Sequence, residues 1–233
     1  MFKDARSLIL AAAPTQPSEL RTIFSEKAGS IRRKLEQPPV LRENGWSLRT
    51  ADQAKFVHGE LIRVEGHRAI IDLYRDGTLI FGGQINSEFL AWSDKGDLDI
   101  HPLALVEVLV NFTRFYGLVL DDFRAIPERV ALTIEVRNLH LADQKNRLPE
   151  GPVGEDVWWK SFTTFREAPG DRWKHTMQVS SNSFDPDRVA YQLIRELYIW
   201  FGHAEEAIPY IRGDGDSRAV DADQIALIGR RAR

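Results

Sequence analysis

Between Pro102 and Phe123 the chain is apolar around almost its whole helical circumference, and this segment limits the available folds more than any other. Leu103, Leu105, Val106, Val108, Leu109, Val110, Phe112, Phe115, Tyr116, Leu118, Val119, Leu120 and Phe123 leave only a narrow polar strip at Glu107, Asn111 and Arg114. Pro102 suits a first helical turn, because a proline's missing N–H costs nothing there. A helix this apolar must be covered on most sides. It is too short and too interrupted to read as a membrane span. One sheet face does not suffice, so a second helix, an N-terminal arm or a partner chain must supply the remaining cover.

The second helix is predicted over Pro186–Phe201. Asp185 is placed to cap it, Phe184 to staple onto Val189, and Gly202 to supply the left-handed residue after its end. Most other segments read as strands. Trp46–Thr50 is short, and Lys55–Val64 alternates, setting Phe56, His58, Glu60, Ile62 and Val64 on one face. Ile70–Arg75 and Thr78–Gly83 flank Asp76-Gly77, which predicts a type I′ hairpin with Leu73 opposite Ile80 and Tyr74 opposite Leu79. Val130–Leu141 alternates until its parity slips near Arg137-Asn138, where a bulge would restore the inward face. Val157–Phe165 and Arg172–Ser180 complete the set. Near the N-terminus, Pro17-Ser18 opens a charged helix to about Leu35, capped by Ser18 and stopped at Pro38-Pro39. The fold class expected is α+β, mainly an antiparallel sheet packed with two long helices, plus an N-terminal helical arm. The domain organisation expected is a helical arm and linker over 1–44, an α+β domain over 45–211, and a C-terminal loop and tail over 212–233.

Composition narrows function by exclusion. With 233 residues and 43% apolar content the chain can bury a sizeable core. The absence of cysteine excludes disulfides, thiolate nucleophiles and iron–sulfur ligation. The six apolar residues Leu8–Ala13 are too few for a secretory core, and a cytoplasmic location is expected. Net charge is −3, with a basic excess in residues 1–55, ten Lys/Arg against six Asp/Glu, and an acidic excess in 204–229. These runs read as solvated surface.

Four clusters invite chemistry. His58 and Glu60 would share a strand face, where a carboxylate could orient an imidazole; the spacing resembles the His-x-Glu of zinc deaminases, whose cysteine ligands are absent here. Asp143-Gln144-Lys145 matches the acid-x-lysine of metal-dependent nucleases, but the second acid, Asp121 or Asp122, falls at a helix end. Asp214-Gly215-Asp216 lacks the remaining ligands of a calcium loop. The strongest patch combines Trp158, Trp159, Lys160, Arg166, Arg172 and Lys174, with Phe162, Phe165 and Trp173 interleaved. Stacking aromatics among basic side chains would suit single-stranded nucleic acid. No phosphate loop, nucleophile elbow or histidine ligand spacing is present. No cofactor and no metal are expected.

Gly45-Trp46-Ser47-Leu48-Arg49-Thr50, Leu73-Tyr74-Arg75-Asp76-Gly77-Thr78-Leu79, Pro102-Leu103-Ala104-Leu105, Leu197-Tyr198-Ile199-Trp200-Phe201-Gly202 and Ile208-Pro209-Tyr210 occur in this order. Together they resemble the C-terminal region of bacterial Schlafen/AlbA-like DNA-binding proteins, over about Gly45 to Tyr210. The resemblance implies an accessory module that senses or binds something for a partner. Residues 1–44 are too short for that family's N-terminal domain, so no nuclease residue carries over. The function expected is therefore a non-catalytic binding or regulatory module acting with another protein, near nucleic acid. The alternatives are a hydrolase or metal-dependent nuclease with a non-standard site, and a structural protein self-associating through the N-terminal helix. No membrane partner is expected.

Overall fold

A computed structural model describes residues 4–21, 29–50, 55–57, 61–94, 97–141, 144–150 and 164–228. In chain order the first half comprises β1 (Ser7–Pro14), α1 (Gly29–Glu36), β2 (Lys55–Val57), β3 (Leu61–Glu65), β4 (Ala69–Tyr74), β5 (Leu79–Gln84), β6 (Ala91–Asp94), β7 (Asp97–Ile100) and α2 (Pro102–Leu120). There follow β8 (Arg129–Arg137), β9 (His140–Leu141), β10 (Gln144–Lys145), β11 (Arg147–Pro149), β12 (Phe165–Glu167), β13 (Trp173–Ser180), α3 (Pro186–Trp200), β14 (Ile211–Arg212), β15 (Ala219–Val220) and α4 (Ala222–Leu227). The fold is α+β. Its centre is a seven-stranded antiparallel sheet ordered β13-β8-β1-β5-β4-β3-β2. A four-stranded sheet ordered β12-β11-β7-β6 stands apart, and β11 runs parallel to β7.

The helices occupy one face of the large sheet. On that face Leu8, Leu10, Ala12, Ile62, Val64, Ile71, Leu73, Leu79, Phe81, Val130, Leu132, Ile134 and Val136 are all buried. The core helix α2 contacts β1, and α3 packs along α2. Within its apolar window α2 is 83% buried, so its apolarity serves the core. His101 caps its start and Pro102 sits in its first turn. The capping of α3 follows the sequence closely. The Asp185 carboxylate accepts from the N–H groups of Asp187 and Arg188, and Gly202 ends the helix at φ +83°. Phe184 meets Tyr116 of α2 edge-on, with ring centroids 6.0 Å apart.

The expected N-terminal helical arm is not present. Residues 7–14 are instead a central strand, hydrogen-bonded to β5 on one side and β8 on the other. An apolar run with cover on both faces carries no alternation, so Leu8–Ala13 offers no strand period to read. Ser18 does not cap a helix; its hydroxyl donates to the Gln16 carbonyl, and Leu20 bridges to Phe123. Residues 22–28 lie outside the described residues; among the described ones the helix spans Gly29–Glu36, and Ile31 and Leu35 are buried in the core.

Four further expectations are corrected. The strand expected over Lys55–Val64 is two antiparallel strands, Phe56 facing Ile62, because the chain reverses between Val57 and Leu61. Trp46–Thr50 forms no strand, and the Trp46 N–H and C=O are taken by Glu107 and Asn111 of α2. The hairpin at Asp76-Gly77 pairs Leu73 with Leu79, not with Ile80. Only Gly77 takes positive φ (+86°), and the Tyr74 carbonyl accepts from its N–H at 3.0 Å, the pattern of a three-residue loop ending in a left-handed glycine. Phe123 selects this turn by packing so close that a Cβ at Gly77 would lie 2.0 Å from its ring. The parity slip after β8 is a break at Asn138, with φ +58°.

Because β1 lies third in the sheet, removing residues 1–44 splits it. We predict that the shortened chain loses its cooperative unfolding transition in near-ultraviolet circular dichroism. A sharp transition retained by that chain contradicts this placement of β1.

Candidate functional site

Each residue of the polar strip of α2 is bonded to another part of the chain. Glu107, fully buried, accepts from the Arg42 guanidinium on one oxygen and from the Trp46 N–H on the other at 2.5 Å. One turn on, the Asn111 amide donates to the Trp46 carbonyl at 2.9 Å. The Trp46 indole N–H donates to the Phe89 carbonyl at 2.6 Å, and its ring lies 4.4 Å from that of His101. The approach is so tight that a Cβ on Gly45 would come within 2.6 Å of a Glu107 oxygen. At the far end of the strip, Arg114 makes a two-pronged pair with Asp187 of α3, both bonds 2.9 Å.

Charges in this cluster respond to burial. Desolvation pushes the Glu107 carboxyl above its ordinary value, against the opposing pull of Arg42 and the Trp46 N–H. Burial, reinforced by the Arg42 charge, holds His101 down at about 3. Its Nδ1 therefore remains an acceptor for the Ala104 N–H at helix α2's start. Tyr210, nearby, adopts φ +59° and its hydroxyl is pushed up, chiefly by burial.

The same pairing recurs at every described buried acid. Asp72 is gripped by Arg63 through two 2.7 Å bonds, and Asp99 by Arg147 at 2.7 and 3.0 Å. Glu135 is held between Arg137 and Arg172, both at 2.6 Å. Burial alone would raise Glu135, but the two guanidiniums keep it below the usual carboxylate range. With Glu107 and Asp187 these are all the buried acids among the described residues, and each has an arginine.

Of the residues singled out in the sequence, His58, Glu60, Asp143, Trp158, Trp159 and Lys160 lie outside the described residues. Arg172 and Lys174 flank Trp173 at the sheet edge, whereas Arg166 sits on β12 in the other sheet. Arg172 is spent on Glu135. Trp173 points to the helix side and stacks on Trp200, with centroids 5.7 Å apart. Lys145 pairs with Glu167 at 3.0 Å, and Asp122 accepts from Lys34 at 2.7 Å. Asp214 folds its own short turn through Ser217. Among the described residues no three His, Asp or Glu side chains gather as metal ligands.

What the sequence did not single out is the edge of the large sheet. Among the described residues β13 pairs only with β8, in unbroken register over its full length. Just beyond it, Ser181 N–H donates to Glu128 C=O at 3.0 Å, directly opposite in that register. Odd-numbered residues of β13 therefore bond to β8, and Lys174, Thr176 and Gln178 turn their N–H and C=O groups outward. The side chains of Lys174, Thr176, Gln178 and Ser180 are exposed, while Trp173, His175, Met177 and Val179 are half-buried on the helix side. Regular alternation from Trp173 to Ser180 was the available signal. That it runs along an edge depends on strand order.

No protein-family model matches the chain, and no curated protein is significantly similar to it.

Two outcomes follow for the α2 cluster. Because His101 has a folded pKa near 3 against an ordinary 6.5, the unfolded chain protonates first. Stability present above pH 6.5 falls as pH drops, by up to about 1.4 kcal/mol per pH unit. His101→Asn keeps a capping side chain and flattens this slope between pH 6.5 and 4.5 in urea denaturation; an unchanged slope excludes His101 as its source. Glu107→Gln strands the Arg42 charge and costs about 3 kcal/mol or more. Adding Arg42→Met recovers part of that loss in a double-mutant cycle.

Proposed function

We propose that this chain is a non-catalytic binding module that engages another protein by accepting a strand on the β13 edge. The observation that carries this reading is the open β13 edge, whose outward backbone groups have no partner among the described residues, beside buried acids that are each paired with an arginine. Catalytic carboxylates need tuned, accessible protons, whereas Asp72, Asp99, Glu107, Glu135 and Asp187 serve as fixed acceptors. Edge β13 offers what strand addition requires: a regular row of outward backbone donors and acceptors, with half-buried side chains on alternate positions. The resemblance to the C-terminal region of Schlafen/AlbA-like proteins points the same way, towards an accessory module working with a partner. Nucleic acid is not favoured, because Arg172 is hydrogen-bonded to Glu135 and Arg166 stands on a different sheet, so the basic residues expected to form one patch are divided.

A displayed library of extended peptides tests the edge. Selected peptides should bind the full chain and protect β13 amides from hydrogen exchange. Thr176→Pro, which removes an outward N–H and none of the backbone bonds to β8, should weaken them about tenfold or more. Peptides that bind the proline variant equally, or protection confined to other segments, would exclude this edge. So would salt-sensitive oligonucleotide binding lost on Lys174→Ala with no peptide binding.

A further inference from the structure

Resting on the β13 edge as the binding surface, the structure assigns its occupant: the same strand of a second copy of this chain, paired antiparallel across a two-fold axis at Thr176. Three features of β13 fit it to itself. The first is backbone phase. Lys174, Thr176 and Gln178 all turn their hydrogen-bonding groups outward, so a two-fold at Thr176 sets Thr176 against Thr176 and Lys174 against Gln178, each an outward residue facing an outward residue. The second is charge. Lys174 is the only charged residue exposed on this strand, and in this register it meets a neutral amide, so no like charges oppose.

The third feature is the incomplete apolar layer. On β8 the inward residues Val130, Leu132, Ile134 and Val136 are at most 1% exposed, but their neighbours Val179, Met177, His175 and Trp173 on β13 are half-buried. In the two-fold pairing Trp173 faces Val179 and His175 faces Met177, so each copy's half-covered row is covered by the other. On the outer face the Thr133 and Thr176 hydroxyls already share a hydrogen bond at 2.9 Å. Meeting at Thr176 extends this into a threonine ladder across the joined sheets, a cross-strand pairing that favours association. Edge strands kept apart carry bulges, prolines or inward charges. β13 has an unbroken register and no proline.

Sedimentation of the full chain across the micromolar range should show a monomer–dimer equilibrium. Thr176→Lys with Gln178→Lys sets lysine against lysine at the axis and against Lys174, through side chains that are exposed in the single chain. Dimerisation should weaken about tenfold or more, with the unfolding transition retained. Mixing that variant with Thr176→Glu/Gln178→Glu should restore association as a mixed dimer. A single cysteine adds a register test, since the natural chain has none. Residues facing each other at the axis stand about 5.5 Å apart, within disulfide reach. Thr176→Cys should cross-link on mild oxidation much faster than Gln178→Cys. A wild-type chain monomeric throughout, a dimer indifferent to the lysine pair, or equal cross-linking of the two cysteines would each overturn self-pairing. If the wild type is monomeric while Thr176→Pro still abolishes peptide binding, only the identity of the occupant falls and the edge stands.

Discussion

The Glu107 carboxylate holds together parts of the chain that have no other reason to meet. It sits fully buried on a helix otherwise surrounded by apolar side chains. A lone charge there would be prohibitive. Arg42 and the Trp46 N–H satisfy it, and in doing so they draw residues 42–46 across the first half of α2. Asn111 then takes the Trp46 carbonyl, so the loop has exchanged a strand partner for a helix's polar strip. Arg114 repeats the device at the other end and fixes α3 through Asp187. Apolar burial supplies the drive to cover α2, and these polar contacts decide which segment covers which side.

Arginine–carboxylate clamps recur where the sheets need it. On the outer face of the large sheet, away from the helices, Asp72 and Glu135 would face solvent on a bare layer. Instead the stems of Arg63, Arg137 and Arg172 lie over them, and both acids are nearly inaccessible. The smaller sheet is pinned by Asp99 and Arg147, which also face each other in register. Two-pronged geometry gives the Arg63–Asp72, Arg137–Glu135 and Arg147–Asp99 pairs direction as well as attraction. Such pairs are poor reservoirs of chemistry and good determinants of orientation.

That surface follows from the order of strands. A sheet with β1 inside and β13 outside has a long edge whose backbone groups, among the described residues, are spent only on one side. Beside it the Trp173 ring stacks on Trp200 of α3. The edge is therefore both regular and incompletely covered, and a strand from elsewhere would continue both the ladder and the apolar layer.

Much of this was legible in the residues. The apolar helix at Pro102, the Asp185 cap and Gly202 end of α3, the alternation of β8 and β13, and the turn at Asp76-Gly77 all rest on local chemistry, which a sequence displays directly. The polar strip of α2 was also visible, as three residues in an apolar surround. Its partners were not, because Arg42 and Asp187 lie 65 and 73 positions away. Residues 7–14 misled for a related reason: a strand covered on both faces has no period, and only its bonds to β5 and β8 reveal it. The hairpin register turned on Phe123, which crowds Gly77 from outside the hairpin. Local propensity and patterning thus determined which segments are helices and strands. Which of them lie inside, which buried charge meets which arginine, and which edge stays open were decided by contacts between residues far apart in the chain, where pairing and close packing outweigh local preference.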